Sequence, residues 1–332
     1  MKVFFFKMET LLWITIKVII MRTNRRSVFI KDKFFSFILA SFKGISQVFL
    51  IEKVSTGLLI LLAITISSYY LGIIALLSSL IGTLVAKLGG ADENIINQGL
   101  FGYNSVVTGM ALILFLKGPF AWLIALVGAA IAALFTAAMI HFMKRTEMPV
   151  LTFPYIALTW LILLSTYQLG NINIVSGLIP HDLQNLEINN EGIHFIDAIF
   201  NGISQIVFLE NKISGLLLFV ALFLAGRKLG CYAVIGSITA VMFSYALGGE
   251  HNLITEGLYG YNAILTLIAV SEVFNNNNRF ALLLGIIAAC LTIPITAGIN
   301  IFLLPYGLPV LTMPFVLCSW IFLAVRKVFP NI

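Results

Sequence analysis

Long apolar runs separated by short polar breaks dominate the chain. Ten of them read as membrane helices, at roughly 54–71, 72–88, 99–116, 119–142 and 149–168, then 213–226, 231–249, 257–274, 280–303 and 309–325. At about 20 residues per span, ten spans use roughly 200 residues and leave no room for a separate soluble catalytic domain. Ahead of each set of five lies a shorter, interrupted apolar piece, about 34–51 and about 193–209. Each is too short or too interrupted to span a bilayer comfortably. Each is predicted to be a half-helix that enters the membrane and stops.

The two sets of runs are copies of one another. GISQVFLIEKVSTGLLIL at 44–61 matches GISQIVFLENKISGLLLF at 202–219, with eight of eighteen positions identical at an offset of 158. QGLFGYNSVVTG at 98–109 matches EGLYGYNAILTL at 256–267 at the same offset, and MPVLTFPY at 148–155 matches LPVLTMPF at 308–315 at an offset of 160. Low complexity does not preserve Gln, Glu, Asn and Thr so selectively. The chain therefore divides into a basic cytoplasmic N-terminal segment (1–33), a first repeat (34–168), an extracytoplasmic linker (169–192) and a second repeat (193–328). Five spans per repeat is an odd number, so the second repeat is predicted to lie inverted relative to the first. The fold class expected is an all-α polytopic membrane protein: ten transmembrane helices plus two re-entrant half-helices, in two inverted five-helix repeats around a central pore. In such plans substrate sites form near the midplane, between the repeats.

Composition narrows the class further. Of 332 residues, 60% are hydrophobic and only 10% charged, and mean hydropathy is +1.03. Ordinary soluble domains carry about 25% charged residues, so a soluble domain is excluded. A nucleic-acid partner is excluded too, because the net charge of +6 has no soluble surface to occupy. Cys231, Cys290 and Cys318 lie in apolar stretches and offer neither a disulfide framework nor a CxxC pair. The first 26 residues are basic and their apolar run is broken by Lys7, Glu9 and Lys17. With no small-residue cleavage site, they read as an amphipathic segment on the membrane surface.

Lysine and arginine set the orientation. With the N-terminus in the cytoplasm and ten spans threaded, 18 of the 20 basic residues fall inside and only Lys117 and Lys212 outside. The loop at about 170–195 falls outside and holds no Lys or Arg. This places the chain in the cell inner (plasma) membrane as a multi-pass protein with both termini cytoplasmic.

The spans are almost empty of ionisable groups, whereas ion-coupled transporters and proton relays carry them in the bundle interior. His141, His181, His194 and His251 lie at span ends or in the outer loop. What remains is Glu52 and Glu210, related by the repeat, and Glu256, which stands where the first repeat has Gln98. No GxxxxGK[ST] motif and no spaced metal-ligand cluster is present, so no cofactor is expected. The chemistry on offer is neutral: Gln, Thr, Asn, backbone carbonyls and aromatic faces. It suits a small uncharged polar solute moving down its gradient. The half-helix ends sharpen this, since unpaired carbonyls at a helix C-terminus attract N–H donors or cations.

The three repeated blocks — SQ after a short apolar helix, GL[FY]GYN, and [ML]PVLT[FM]P[FY] — resemble those of the urea transporters, over about residues 34–328. The resemblance implies a homotrimer in the lipid bilayer, each protomer passing urea as a channel-like facilitator through a narrow dehydrating filter with outer, middle and inner sites. It assigns Gln47 and Gln205 to close the half-helices and accept urea N–H bonds, followed by Val48 and Ile206. Tyr103 and Tyr261 form one wall of a flat slot. Leu50 and Phe208 form the other, with Phe49 the alternative to Leu50, where some relatives carry an aromatic. Val107 and Leu265 are the apolar residues of the middle site, to which Thr152 and Thr312 present hydroxyls.

Plainer readings stand beside these. Thr in a membrane helix commonly bonds back to its own helix. Tyr can belong to an interfacial belt, and the glycines of the GYN blocks can simply allow close helix packing. Glu52 and Glu210 can anchor the half-helix ends without touching substrate. Channels for ammonia, water or short amides are the rival transport reading. Paired NPA motifs and pore histidines, which water and ammonia channels need, are absent. A membrane-embedded enzyme is the rival outside transport, and no span pairs a nucleophile with a base.

Overall fold

The apolar runs fold almost entirely as helix. A computed structural model of the chain describes residues 33–169, 172–175, 192–274 and 279–329. Most of the N-terminal segment and of the linker expected between the repeats lies outside these. The chain divides into two units, residues 1–39 and 40–332. In the first, residues 33–39 are helical. The second opens on α1, residues 40–47. There follow α2 (Val54–Ser67), α3 (Tyr69–Leu88), α4 (Glu93–Asn97), α5 (Gly102–Phe115), α6 (Ala121–Met143) and α7 (Phe153–Ser165). After them come α8 (Phe195–Ser204), α9 (Lys212–Ala225), α10 (Arg227–Ala246), α11 (His251–Thr255), α12 (Gly260–Ile268), α13 (Ala281–Leu303) and α14 (Met313–Val328). Sheet among the described residues is limited to an antiparallel pair of two-residue strands, β1 (Leu116–Lys117) and β2 (Asn173–Ile174).

Four of these helices are long and apolar enough to cross a bilayer: α3, α6, α10, and α13 with its short extension to Tyr306. The segment Phe195–Val207 and α9 make a fifth candidate, bent by 74° at the break. The remaining apolar helices are shorter than the runs that announce them. The 14 residues of α2 rise about 21 Å, against a hydrocarbon core of about 30 Å. The runs at 99, 149, 257 and 309 each give up their first residues to a turn. Gly99 and Gly257 sit at φ 81° and 84°, and Leu151 and Leu311 at φ 51° and 53°. An apolar turn and an apolar helix look alike as a string of letters. The run at 231 instead starts early, at Arg227, because the extended Gly226 is the helix cap.

Both short helices end in the same way. After Gln47 the chain passes through Leu50 at φ 60°, and after Gln205 through Phe208 at φ 59°. Ser46 Oγ ties the first turn by donating to the carbonyl of Ile51 at 2.5 Å, and Ser204 Oγ ties the second by donating to that of Leu209 at 2.6 Å. Left-handed positions after a helix normally go to glycine. Here they carry a leucine and a phenylalanine.

α5 and α12 form the centre. Every residue from Gly102 to Leu112 is buried, as is every residue from Gly260 to Ser271. Glycine pairs let the central helices cross the short ones closely. A methyl group on Gly260 would lie 2.6 Å from the Gly202 Cα, and one on Gly102 would lie 3.0 Å from the Gly44 Cα. Outward faces are apolar as well: Trp122, Leu123, Val127, Ile131 and Leu134 on α6 are all exposed, a surface suited to lipid and not to water.

Contacts between elements about 150 residues apart run in opposite senses. The Lys53 ammonium, at the start of α2, donates to the carbonyl of Ala225 at the end of α9. Asn211 Nδ2, at the start of α9, donates to Ser67 Oγ at the end of α2, 2.9 Å away. These two helices therefore lie antiparallel. Two further bonds are reciprocal: the Trp160 indole donates to the Pro309 carbonyl and the Trp320 indole to the Pro149 carbonyl, both at 2.8 Å.

Candidate functional site

Thr152 and Thr312 each stand at the N-cap of a helix, α7 and α14. They meet across 160 residues of sequence with their hydroxyl oxygens 2.7 Å apart. Both are almost fully buried, at 3% and 6% exposure. Neither caps its own helix through its side chain.

What aims this pair is the left-handed residue before each threonine. The Tyr103 hydroxyl donates to the Leu151 carbonyl. Asn104 Nδ2 donates to the same oxygen at 3.3 Å and to Thr136 Oγ1 at 3.1 Å. In the other half the Tyr261 hydroxyl donates to the Leu311 carbonyl at 2.8 Å and Asn262 Nδ2 to the same oxygen at 3.3 Å. A non-glycine residue in this region costs of order 1–3 kcal/mol and persists where the surroundings over-determine it. Two donors on one carbonyl supply that constraint.

Two cavities lie near the pair; Thr312 lines one of them, and the other reaches Leu151 but not Thr152. One of about 720 Å³ is lined by Gln47, Leu50, Glu52, Tyr103, Thr136 and Leu151 among others. The second, of about 230 Å³, is lined by Gln205, Ile206, Phe208, Glu210, Glu256, Tyr261, Leu311 and Thr312 among others. Gln47 Nε2 donates to the Gln98 carbonyl at 3.0 Å, and Gln205 Nε2 to the Glu256 carbonyl at 3.2 Å. With its nitrogen so engaged, each amide keeps its oxygen as an acceptor. Leu50 lines its cavity, whereas Phe49 is fully buried in the core. Phe208 lines the other and packs edge-on against Phe115 and Tyr155, at 6.0 and 6.4 Å between ring centroids. Val48, Val107 and Leu265 are buried in the central apolar cluster that also holds Tyr103, Tyr261, Leu151 and Leu311. They line neither cavity.

The two mouths differ in charge. Glu52 pairs with Lys43 at 2.8 Å. Where the first half has Lys43 the second has Asn201, whose amide donates to the Thr255 carbonyl at 2.8 Å. Glu210 accepts instead from Gln205 Nε2 at 3.0 Å. Burial, and then the neighbouring Glu210 and Glu250, push the Glu256 carboxyl above its ordinary range.

Four features of this site escape a reading of motifs alone: the paired Asn104 and Asn262, the left-handed leucines, the reciprocal tryptophan bonds and the Lys43–Glu52 pair. Trp160 and Trp320 share the 160 offset of the threonines, and that repetition is the signal that marks them.

Comparison with known proteins bears on the whole of this architecture. A family model described as urea transporter matches residues 38–327. Among curated proteins, the chain is similar to urea transporter 1 of Rattus norvegicus, 26% identical over 303 residues, covering 87% of this chain and 77% of the relative. Urea transporter 1 of Ovis aries and of Mus musculus is 25% identical over the same length, with the same coverage. The family match runs from the first short helix into the last turn of α14, through both copies of every repeated block, and the chain belongs to the urea transporter family.

Proposed function

We propose that this chain is a channel-like facilitator that passes urea down its gradient through a narrow filter between the two cavities. The observation that carries the reading is the buried Thr152–Thr312 hydroxyl contact, where equivalent residues of the two halves present neutral hydrogen-bonding groups to each other beside the apolar core. The surrounding cluster, with Val48, Val107, Ile206 and Leu265, is apolar. A solute passing there must shed water and exchange its bonds for these hydroxyls.

Urea enters at one mouth, where the amide oxygen of Gln47 or Gln205 accepts its N–H groups. It is then held flat between Leu50 and Tyr103 on one side of the filter, or Phe208 and Tyr261 on the other. At the midpoint Thr152 and Thr312 replace water as partners. Each bond left unmade in such a constriction costs roughly 1–3 kcal/mol. Transport needs no chemical step, so the protein acts as a transporter and not as an enzyme.

The architecture that serves this reading is ten membrane segments with two half-helices, in two repeats of opposite orientation, spanning 34–168 and 193–328. The antiparallel α2 and α9 and the reciprocal Trp–Pro bonds support that inversion. The excess of lysine and arginine on one side supports cytoplasmic termini in the plasma membrane. Each protomer of a homotrimer would carry its own path.

Purified protein in liposomes tests the reading. Stopped-flow light scattering after a urea challenge should show recovery much faster than in protein-free vesicles. Recovery at the protein-free rate would reject it.

A further inference from the structure

The geometry points to Asn262 as a positioning residue that frees the Thr312 hydroxyl for the solute; this rests on the reading that the threonine pair lies on the urea path. A threonine at an N-cap ordinarily folds its hydroxyl back onto the N–H of the second or third helical residue. At α14 both partners are denied to it. The second residue is Pro314, which has no N–H. The third is Phe315, whose N–H donates to Asn262 Oδ1 at 3.1 Å. Asn262 reaches in from α12, is fully buried, and with its other amide atom holds the carbonyl of Leu311. One side chain thus grips the backbone on both sides of Thr312 and takes over the capping bond. The hydroxyl that would have made that bond points instead at Thr152.

The first half carries the same device in incomplete form. Pro154 removes the N–H of the second residue of α7. Asn104 holds the Leu151 carbonyl and Thr136, but its Oδ1 is buried without a partner. The Tyr155 N–H is therefore not claimed by this asparagine, and the control over Thr152 is weaker. In the second half the T-x-P and GYN blocks act as one unit: Pro314 deletes one cap, Asn262 occupies the other, and Thr312 is left available.

Urea flux in proteoliposomes tests this with Asn262→Leu, Asn262→Asp, Thr312→Val and the double variant Asn262→Leu/Thr312→Val, each at matched protein and unchanged oligomer size. Asn262→Leu should lose flux by roughly the same tenfold as Thr312→Val, and the double variant should lose little more, because both remove one hydroxyl from service. Asn262→Asp, protonated in this buried site, donates and accepts as the amide does and should stay within about twofold of wild type. A merely structural asparagine would add its own loss to that of Thr312→Val, and a roughly hundredfold drop in the double variant would overturn the proposal, as would wild-type flux in Asn262→Leu. Should Asn262→Leu fail to fold, Pro314→Ala serves instead: it restores an N–H for Thr312 to cap, and flux should fall, whereas unchanged flux would contradict the mechanism. Wild-type flux in Thr312→Val itself would instead reject the path on which the proposal rests.

Discussion

Replacing Thr152 or Thr312 by valine keeps the volume and branching of the side chain and deletes one hydroxyl. In the resting protein the two hydroxyls satisfy each other at 2.7 Å, and around them the central cluster is apolar. On the proposed path, urea at this point would have its N–H groups and carbonyl stripped of water and would have to find partners in the wall. One neutral bond lost there costs about 1.4 kcal/mol of barrier, within the range for an unmade buried bond, which is roughly tenfold in rate. Each single variant should therefore pass urea about ten times more slowly than wild type, and the two should resemble each other because they occupy equivalent caps. The double variant should lose less than the product of the two, since it leaves no lone buried hydroxyl and the pair acts as a unit. Stopped-flow shrinkage of proteoliposomes at matched protein content, with oligomer size checked by gel filtration, measures this. Wild-type flux in both single variants would mean that the hydroxyls serve only the packing of α7 against α14, and the middle site would then have to be built from backbone carbonyls.

Further outcomes follow from the mouths and the orientation. Burial and two neighbouring carboxylates raise the Glu256 pKa above its ordinary 4.5, so its ionised form costs stability at neutral pH. Glu256→Gln should raise the melting temperature at pH 7, with the gain shrinking as pH falls through the raised value and vanishing below about 4.5; an equal gain at pH 4 and pH 7 would refute the electrostatic cause. Cysteines at Thr146 and Pro119, both exposed, should report opposite faces. A reagent that cannot cross the membrane should label Pro119→Cys from outside and leave Thr146→Cys silent in intact cells, and the reverse pattern would invert the orientation.

The helices were legible because lipid-facing and core-facing residues are both apolar, and such runs stand out against polar breaks. The repeat was legible because the same Gln, Tyr and Thr stand in the same order twice, at offsets of 158 and 160. Where the runs turn was not legible. Leu151 and Leu311 occupy a conformation that local rules reserve for glycine, and only the Tyr and Asn of a distant helix, donating to their carbonyls, make it tenable. The meeting of Thr152 with Thr312 and the crossing of Trp160 and Trp320 onto proline carbonyls are likewise contacts between residues at least 149 apart, which leave no trace in local periodicity. The charge difference between the mouths is visible in sequence as Lys43 against Asn201 and Gln98 against Glu256. Its consequence appears only once Glu52 is seen paired and Glu210 is not paired with a lysine.

Passive passage of urea leaves no role for an ion gradient. The direct test is equilibrium uptake of labelled urea into proteoliposomes bearing an imposed proton or sodium gradient, compared with vesicles bearing none. A passive path gives the same internal concentration in every case, equal to that outside and reached at the same rate. Accumulation above the external concentration under either gradient would contradict it.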